Sequence, residues 1–162
     1  MSDHSMRHAP GVPVALLATV VNAVAWFVPA ATIPSDPRGL DHVAMTGWEA
    51  FKTSLLPFDL VARISGSDWI FGVLTLASPL TNMVFIIALG ILLYGGDRLP
   101  RTWQCVEASV WICFGLNGWW LATGISHLRA GYYLWFGSFA LLALAVRQRR
   151  GAGRHAILPQ FT

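Results

Sequence analysis

Residues 69–94 read WIFGVLTLASPLTNMVFIIALGILLY, a run without a single charged side chain. About 20 mainly apolar residues are enough to cross roughly 30 Å of hydrocarbon as a helix, so this stretch is expected to span a membrane. Three further apolar blocks flank it. Val12–Ala31 and Trp103–Ile125 have comparable length, and Leu128–Val146 reaches it if Arg129 sits at the polar end and snorkels. Hydrophobic residues make up 55% of the chain and charged ones only 12%, about half the charge usual in soluble proteins. The expectation is an all-α membrane domain over residues 1–162, with four transmembrane helices at about 12–31, 69–94, 103–125 and 128–147. Short joints between them imply an antiparallel up-down-up-down bundle, with 32–68 as a long first outer loop.

The formal charge of +3 does not point to nucleic acid, because of where the basic residues lie. Arg147, Arg149, Arg150 and Arg154 follow the last apolar run, and Arg98 and Arg101 separate the second from the third. The 32–68 loop sets Arg38, Lys52 and Arg63 against Asp36, Asp41, Glu49, Asp59 and Asp68, so it is net negative. The positive-inside rule then puts both termini and residues 95–102 in the cytoplasm and the long loop outside. The arginines face anionic headgroups of the inner leaflet. An Arg-, Ala- and Gly-rich composition fits a GC-rich bacterium, hence a bacterial cytoplasmic membrane. Val28-Pro29-Ala30 loosely resembles a signal cleavage site, but the apolar run is long and only Arg7 precedes it. It is expected to stay as a helix.

Local signals set the joints. Gly95-Gly96 suits the end of the second helix, Thr102 can N-cap the third after Pro100, and residues 151–162 read as a loose tail. In the outer loop, Thr46-Gly47-Trp48-Glu49 has the pattern of a capping box. It opens a helix with Trp48, Phe51 and Leu55 on one face. Pro57 can end that helix and start a second with Asp59, Leu60, Val61 and Ile64. Amphipathic helices beside a span most simply lie in the headgroup region, or cover a site there.

Asn22, Asn82, Asn117 and Ser138 all map near the bilayer midplane. Buried amides need partners, so these four are expected to face one another as a structural hydrogen-bonded layer. The sharper alternative is a polar path for an ion or small molecule, weakened by the lack of a charged residue beside it. Cys105, Ser109, Cys113 and Asn117 recur every four residues, a row of small side chains that lets a neighbouring helix approach. The two cysteines, eight residues apart on one helix, cannot pair with each other. Glu107 lies near the cytoplasmic end of its helix, within reach of Arg101 or Arg147. No metal or cofactor is expected, since zinc would need more His or Cys ligands than the spans contain.

The aromatic residues are unevenly placed. Trp26, Trp48, Trp69, Trp119, Trp120, Tyr132, Tyr133 and Trp135 map to the outer side, with few at the inner boundary. That exceeds an ordinary pair of belts. A heavy outer belt is the plain reading. An outer-leaflet groove roofed by the 47–65 helices is the other, with Phe51, His127 and Arg129 joining the tryptophans and Tyr132 at its edge. GWEAF at 47–51, TN at 81–82, LN at 116–117 and LRAGYYLWFGSF at 128–139 resemble small bacterial four-helix integral membrane proteins. That resemblance implies the four-helix fold and brings no activity. The favoured function is a non-enzymatic membrane protein that binds lipid or a protein partner, another copy included, through its outer aromatic half. Accessory subunits and immunity-type proteins are of this kind. A transporter or channel using the midplane layer is the alternative. A lipid-modifying enzyme fits less well, because His127 and Glu107 lie at opposite ends.

Overall fold

The first apolar run leaves the helical path earlier than its composition suggests. In the computed structural model, which describes residues 10–34, 42–55, 69–94, 100–123 and 127–155, helix α1 covers Val12–Ala25 and not 12–31. Pro29 is the reason: it lacks an N–H and forces Val28 towards extended backbone. The chain continues as strand β1, Pro29–Pro34, which pairs antiparallel with β2, His42–Thr46. Thr32, Ile33 and Val43 are the β-branched residues that suit this ladder. The all-α expectation is corrected here, since a two-stranded sheet stands in the long loop.

Helix α2, Gly47–Ser54, follows β2 directly and starts on the expected capping box. The Glu49 N–H donates to the Thr46 hydroxyl, and the Thr46 N–H donates to the Glu49 carboxylate at 2.8 Å. The proposed second interfacial helix, residues 57–65, lies outside the described residues, as do the joint at 95–99 and the turn at 124–126.

Three long helices complete the chain: α3 (Trp69–Tyr94), α4 (Pro100–Thr123) and α5 (Ala130–His155). Helix α4 begins at Pro100, two residues before the expected cap at Thr102, because proline is at home in a first helical turn where its missing N–H is no loss. Helix α5 continues to His155, past the expected end at 147. Arg147, Arg149 and Arg150 therefore ride on a helix, and the first residues of the expected loose tail are helical.

Among the described residues, two helices are long and apolar enough to cross a membrane, through Leu76–Tyr94 in α3 and Ala130–Ala152 in α5. The four expected spans do not all meet that measure. At 14 residues, α1 is only about 21 Å long. Helix α4 has the length, but Arg101, Gln104, Glu107, Ser109 and Asn117 dilute its apolar content.

The four longer helices share one core, and α5 contributes its largest part: Phe139, Leu142, Ala143, Ala145 and Val146 are fully buried. Helix α1 packs on α5 through alanines, burying Ala15, Ala18 and Ala25 while exposing Leu16, Leu17, Val20 and Val24. Gly11, at φ 91°, starts α1 against the Ala145 carbonyl, a place with no room for a Cβ. On α4 the buried stripe is Trp103, Val106, Val110, Cys113 and Asn117. The expected four-residue row splits, since Cys105 and Ser109 point outward. A strict four-residue spacing drifts around a helix of 3.6 residues per turn, whereas alternating threes and fours stay on one face.

Candidate functional site

The hairpin and α2 form one unit that sits across the end of the bundle where α1 finishes and α5 begins. Backbone groups dock it. The first N–H groups of α2 have no partner within their own helix. Here Gly47 N–H donates to Val28 O at 3.3 Å and Trp48 N–H to Trp26 O at 3.0 Å. On the other side Arg129 N–H donates to Ala30 O at 2.9 Å, and Ala31 bridges to Leu128. The Thr32 hydroxyl adds a bond to the His127 carbonyl. Gly131 lets α5 pass close beneath, because a Cβ there would lie 2.5 Å from the Val28 oxygen and 2.8 Å from that of Pro29.

Between this unit and the helices lies a cavity of about 350 Å³. Gly47, Ala50, Phe51 and Ser54 of α2 form its roof, with Ala31 and Ile33 of β1. Trp26 closes α1's side, Trp120 comes from α4, and Tyr132 and Trp135 come from α5. The α3 wall is Ser78, Pro79 and Asn82. Almost all of this lining is apolar. Its polar groups are largely spent: Ser54 donates to the Phe51 carbonyl, Thr53 to that of Glu49, and the Tyr132 hydroxyl to the Asn117 backbone carbonyl. Asn82 accepts from the Trp135 indole at 2.8 Å, and its amide N–H groups make no bond among the described residues.

Of the aromatic residues singled out by sequence, the cavity gathers Trp26, Phe51, Trp120, Tyr132 and Trp135. Trp48 is half exposed, packs on Trp26 and Phe51, and borders a separate groove beside Asn22 and Phe85. Trp119 points away and is 47% exposed. Trp69 opens α3, and its side chain lies outside the described residues. His127 and Arg129 are exposed at the rim, on either side of the lining residue Leu128. The His127 ring stacks beside His42, centroids 6.3 Å apart. Of the three residues expected on one face of α2, turned to lipid or to the groove, Phe51 lines the cavity while Trp48 and Leu55 are exposed. The small residues Gly47, Ala50 and Ser54 line the cavity beside Phe51.

The polar layer has one direct bond between its expected members, Asn22 to Ser138, and is otherwise built through intermediaries. The Asn22 amide donates to Ser138 at 2.9 Å and accepts from the Trp26 indole at 3.1 Å. Ser138 donates to the Trp135 carbonyl, and Trp135 reaches Asn82. Asn117, only 1% exposed, donates to Thr81, and Thr81 donates to the Ser78 carbonyl. The asparagines do not bond one another. At the far end of the bundle Glu107 pairs with Arg150, not with Arg101 or Arg147, because α5 continues far enough to bring Arg150 alongside. Among the described residues no group of three or more His, Cys, Asp or Glu side chains is placed to hold a metal ion.

On α2, two hydrogen bonds from Thr46, backbone first and hydroxyl second, hold the Glu49 carboxyl below its usual range. Lys52, which also lies over the Trp48 ring, adds to this. Sequence reasoning missed Pro79 and the hairpin. A proline inside an apolar run is itself a signal: it frees the carbonyl four residues back and opens the helix surface, here on the cavity wall. Compared with protein-family models, curated proteins and solved structures, the chain matches none of them.

Proposed function

We propose that this protein is a multi-pass membrane protein whose work is to bind an apolar ligand, lipid or part of a protein partner, in the cavity beneath α2. The observation that carries the reading is that roofed cavity, walled by aromatic rings from three helices and by the Pro79 face of α3. Its volume lies at the small end of ordinary ligand sites, and aromatic walls with a few placed polar groups are typical of them. The described lining contains no acid, base or thiol in reach of another, which favours binding over catalysis.

Membrane insertion of all four longer helices is part of the proposal. Exposure of Leu80, Met83, Ile86 and Ile87 on α3, and of Ile112 and Leu116 on α4, with alanine at the α1 contacts, supports it. Large side chains facing out and small ones facing in is the arrangement expected when lipid, not water, surrounds the helices. The proposed orientation has both termini in the cytoplasm of a bacterial inner membrane and the cavity in the outer leaflet. The internal hydrogen bonds of Asn22 and Asn117 support a structural role for the midplane layer over a transport path.

Copurification from native membranes, with mass spectrometry of what stays bound, tests the binding claim. A lipid or protein retained by the wild type and lost on Trp135→Ala or Phe51→Ala is expected. Equal retention by the wild type and these variants would place binding elsewhere. For orientation, single cysteines at Ser35 and Ala156 are made in a background lacking Cys105 and Cys113. An impermeant reagent on intact cells should label Ser35→Cys alone, and labelling of Ala156→Cys would reverse the topology.

A further inference from the structure

We infer that the occupant of the cavity is a single acyl chain of an anionic ester lipid, its headgroup held at the rim by Arg129 with His42 and His127. This rests on the binding reading above and adds the chemistry of the ligand. The lining comes first. The cavity, about 350 Å³, is walled almost wholly by apolar and aromatic groups, which suits the methylenes of a lipid chain and leaves the backbone N–H and C=O groups of an extended polypeptide few partners.

Charge comes second. Leu128, which lines the cavity, lies in sequence between His127, whose ring stacks on His42, and Arg129, exposed and without an ion pair among the described residues. A guanidinium and two imidazoles at the mouth of an apolar cavity complement an anionic head on an apolar tail. Depth comes third. Asn82 is tied to Trp135, which lies five residues into α5, about 8 Å below its start. Its unspent N–H groups suit an ester carbonyl lying between headgroup and chain.

Native mass spectrometry of the full-length protein in detergent measures the test, with phosphatidylglycerol, phosphatidylcholine and free glycerol phosphate as probes. One phosphatidylglycerol is expected per chain, bound about fivefold more tightly than phosphatidylcholine, the ratio for about one cation at an anionic surface. Arg129→Gln should bring the two lipids together, and glycerol phosphate alone should not bind. Ala50→Phe, or Ala31→Leu if the first unfolds, should abolish binding of both lipids by filling the cavity. Equal binding of both lipids by the wild type, still blocked by cavity filling, would overturn the anionic inference and leave the binding reading standing. Wild-type lipid binding in the folded, cavity-filled variants would overturn both. Competition by glycerol phosphate would mean a headgroup site without a chain, and a stoichiometric protein with no lipid would make the occupant a polypeptide.

Discussion

Gly131→Ala should loosen the roof from the bundle. The added methyl group would stand 2.5 Å from the Val28 oxygen and 2.8 Å from the Pro29 oxygen. Ordinary carbon–oxygen contacts begin near 3.3 Å. Two backbone carbonyls would have to retreat by about 0.5–0.8 Å. Pro29 adjoins Ala30, whose carbonyl accepts from Arg129, and the Val28 carbonyl itself accepts from Gly47. Overpacking of this kind costs roughly 1–3 kcal/mol, and losing one of these backbone bonds roughly 0.5–1.5 more. Alanine's better helix propensity returns about 0.5–1. The net destabilisation is about 1–3 kcal/mol, which lowers Tm by roughly 3–10 °C for a chain of this size. Gly137→Ala on the same helix is the control, because a Cβ there meets nothing within 4 Å. It should leave Tm unchanged or raise it slightly. Thermal unfolding in detergent, followed by tryptophan fluorescence, compares them. If Gly131→Ala proves as stable as Gly137→Ala, the hairpin is not seated on α5 as described.

Asn22→Ala and Asn117→Ala should each lose about 0.6–2 kcal/mol, the range for hydrogen bonds between helices in lipid. Wild-type Tm in both would mean that these amides face water instead. The Glu49 carboxyl has a lowered pKa in the folded chain, so its contribution to α2 is complete above the unfolded carboxylate pKa. It is lost as pH falls through the lower, folded value. Amide exchange in α2, corrected for intrinsic rate, should therefore rise on acidification below about pH 4. Glu49→Ala should remove that dependence, and a wild-type profile in the variant would contradict it.

What the sequence made legible was local or periodic. The capping box at Thr46 and Glu49 closes within one turn, so four residues were enough to find it. The need of Asn22, Asn82 and Asn117 for partners was equally plain, but their partners depend on helix rotation, which the apolar runs do not encode. Asn117 thus meets Thr81, one residue from the expected Asn82. The hairpin was hidden for another reason. PAATIP is bounded by prolines and HVAMT is short, and their pairing is secured by Ala30 and Ala31 reaching the chain near Leu128. Contacts across so much sequence leave no periodic trace. Arg150 displaced Arg147 as the partner of Glu107 because the polar residues after Val146 read as an end, although arginine is a good helix former and α5 continues through it. The aromatic excess was visible in composition, yet only the fold sorts Trp120 into the cavity and Trp119 out of it.

The central claim is that the cavity under α2 holds an apolar chain, and Trp135 reports on it directly. Of the chain's 8 tryptophans, the other seven are replaced by phenylalanine, and Trp135 keeps its bond to Asn82. Lipid with brominated acyl chains should quench its fluorescence strongly and aqueous iodide hardly at all, and Ala50→Phe should remove most of the lipid quenching. Ready quenching by iodide with none by brominated lipid would mean that water, not a lipid chain, fills the cavity.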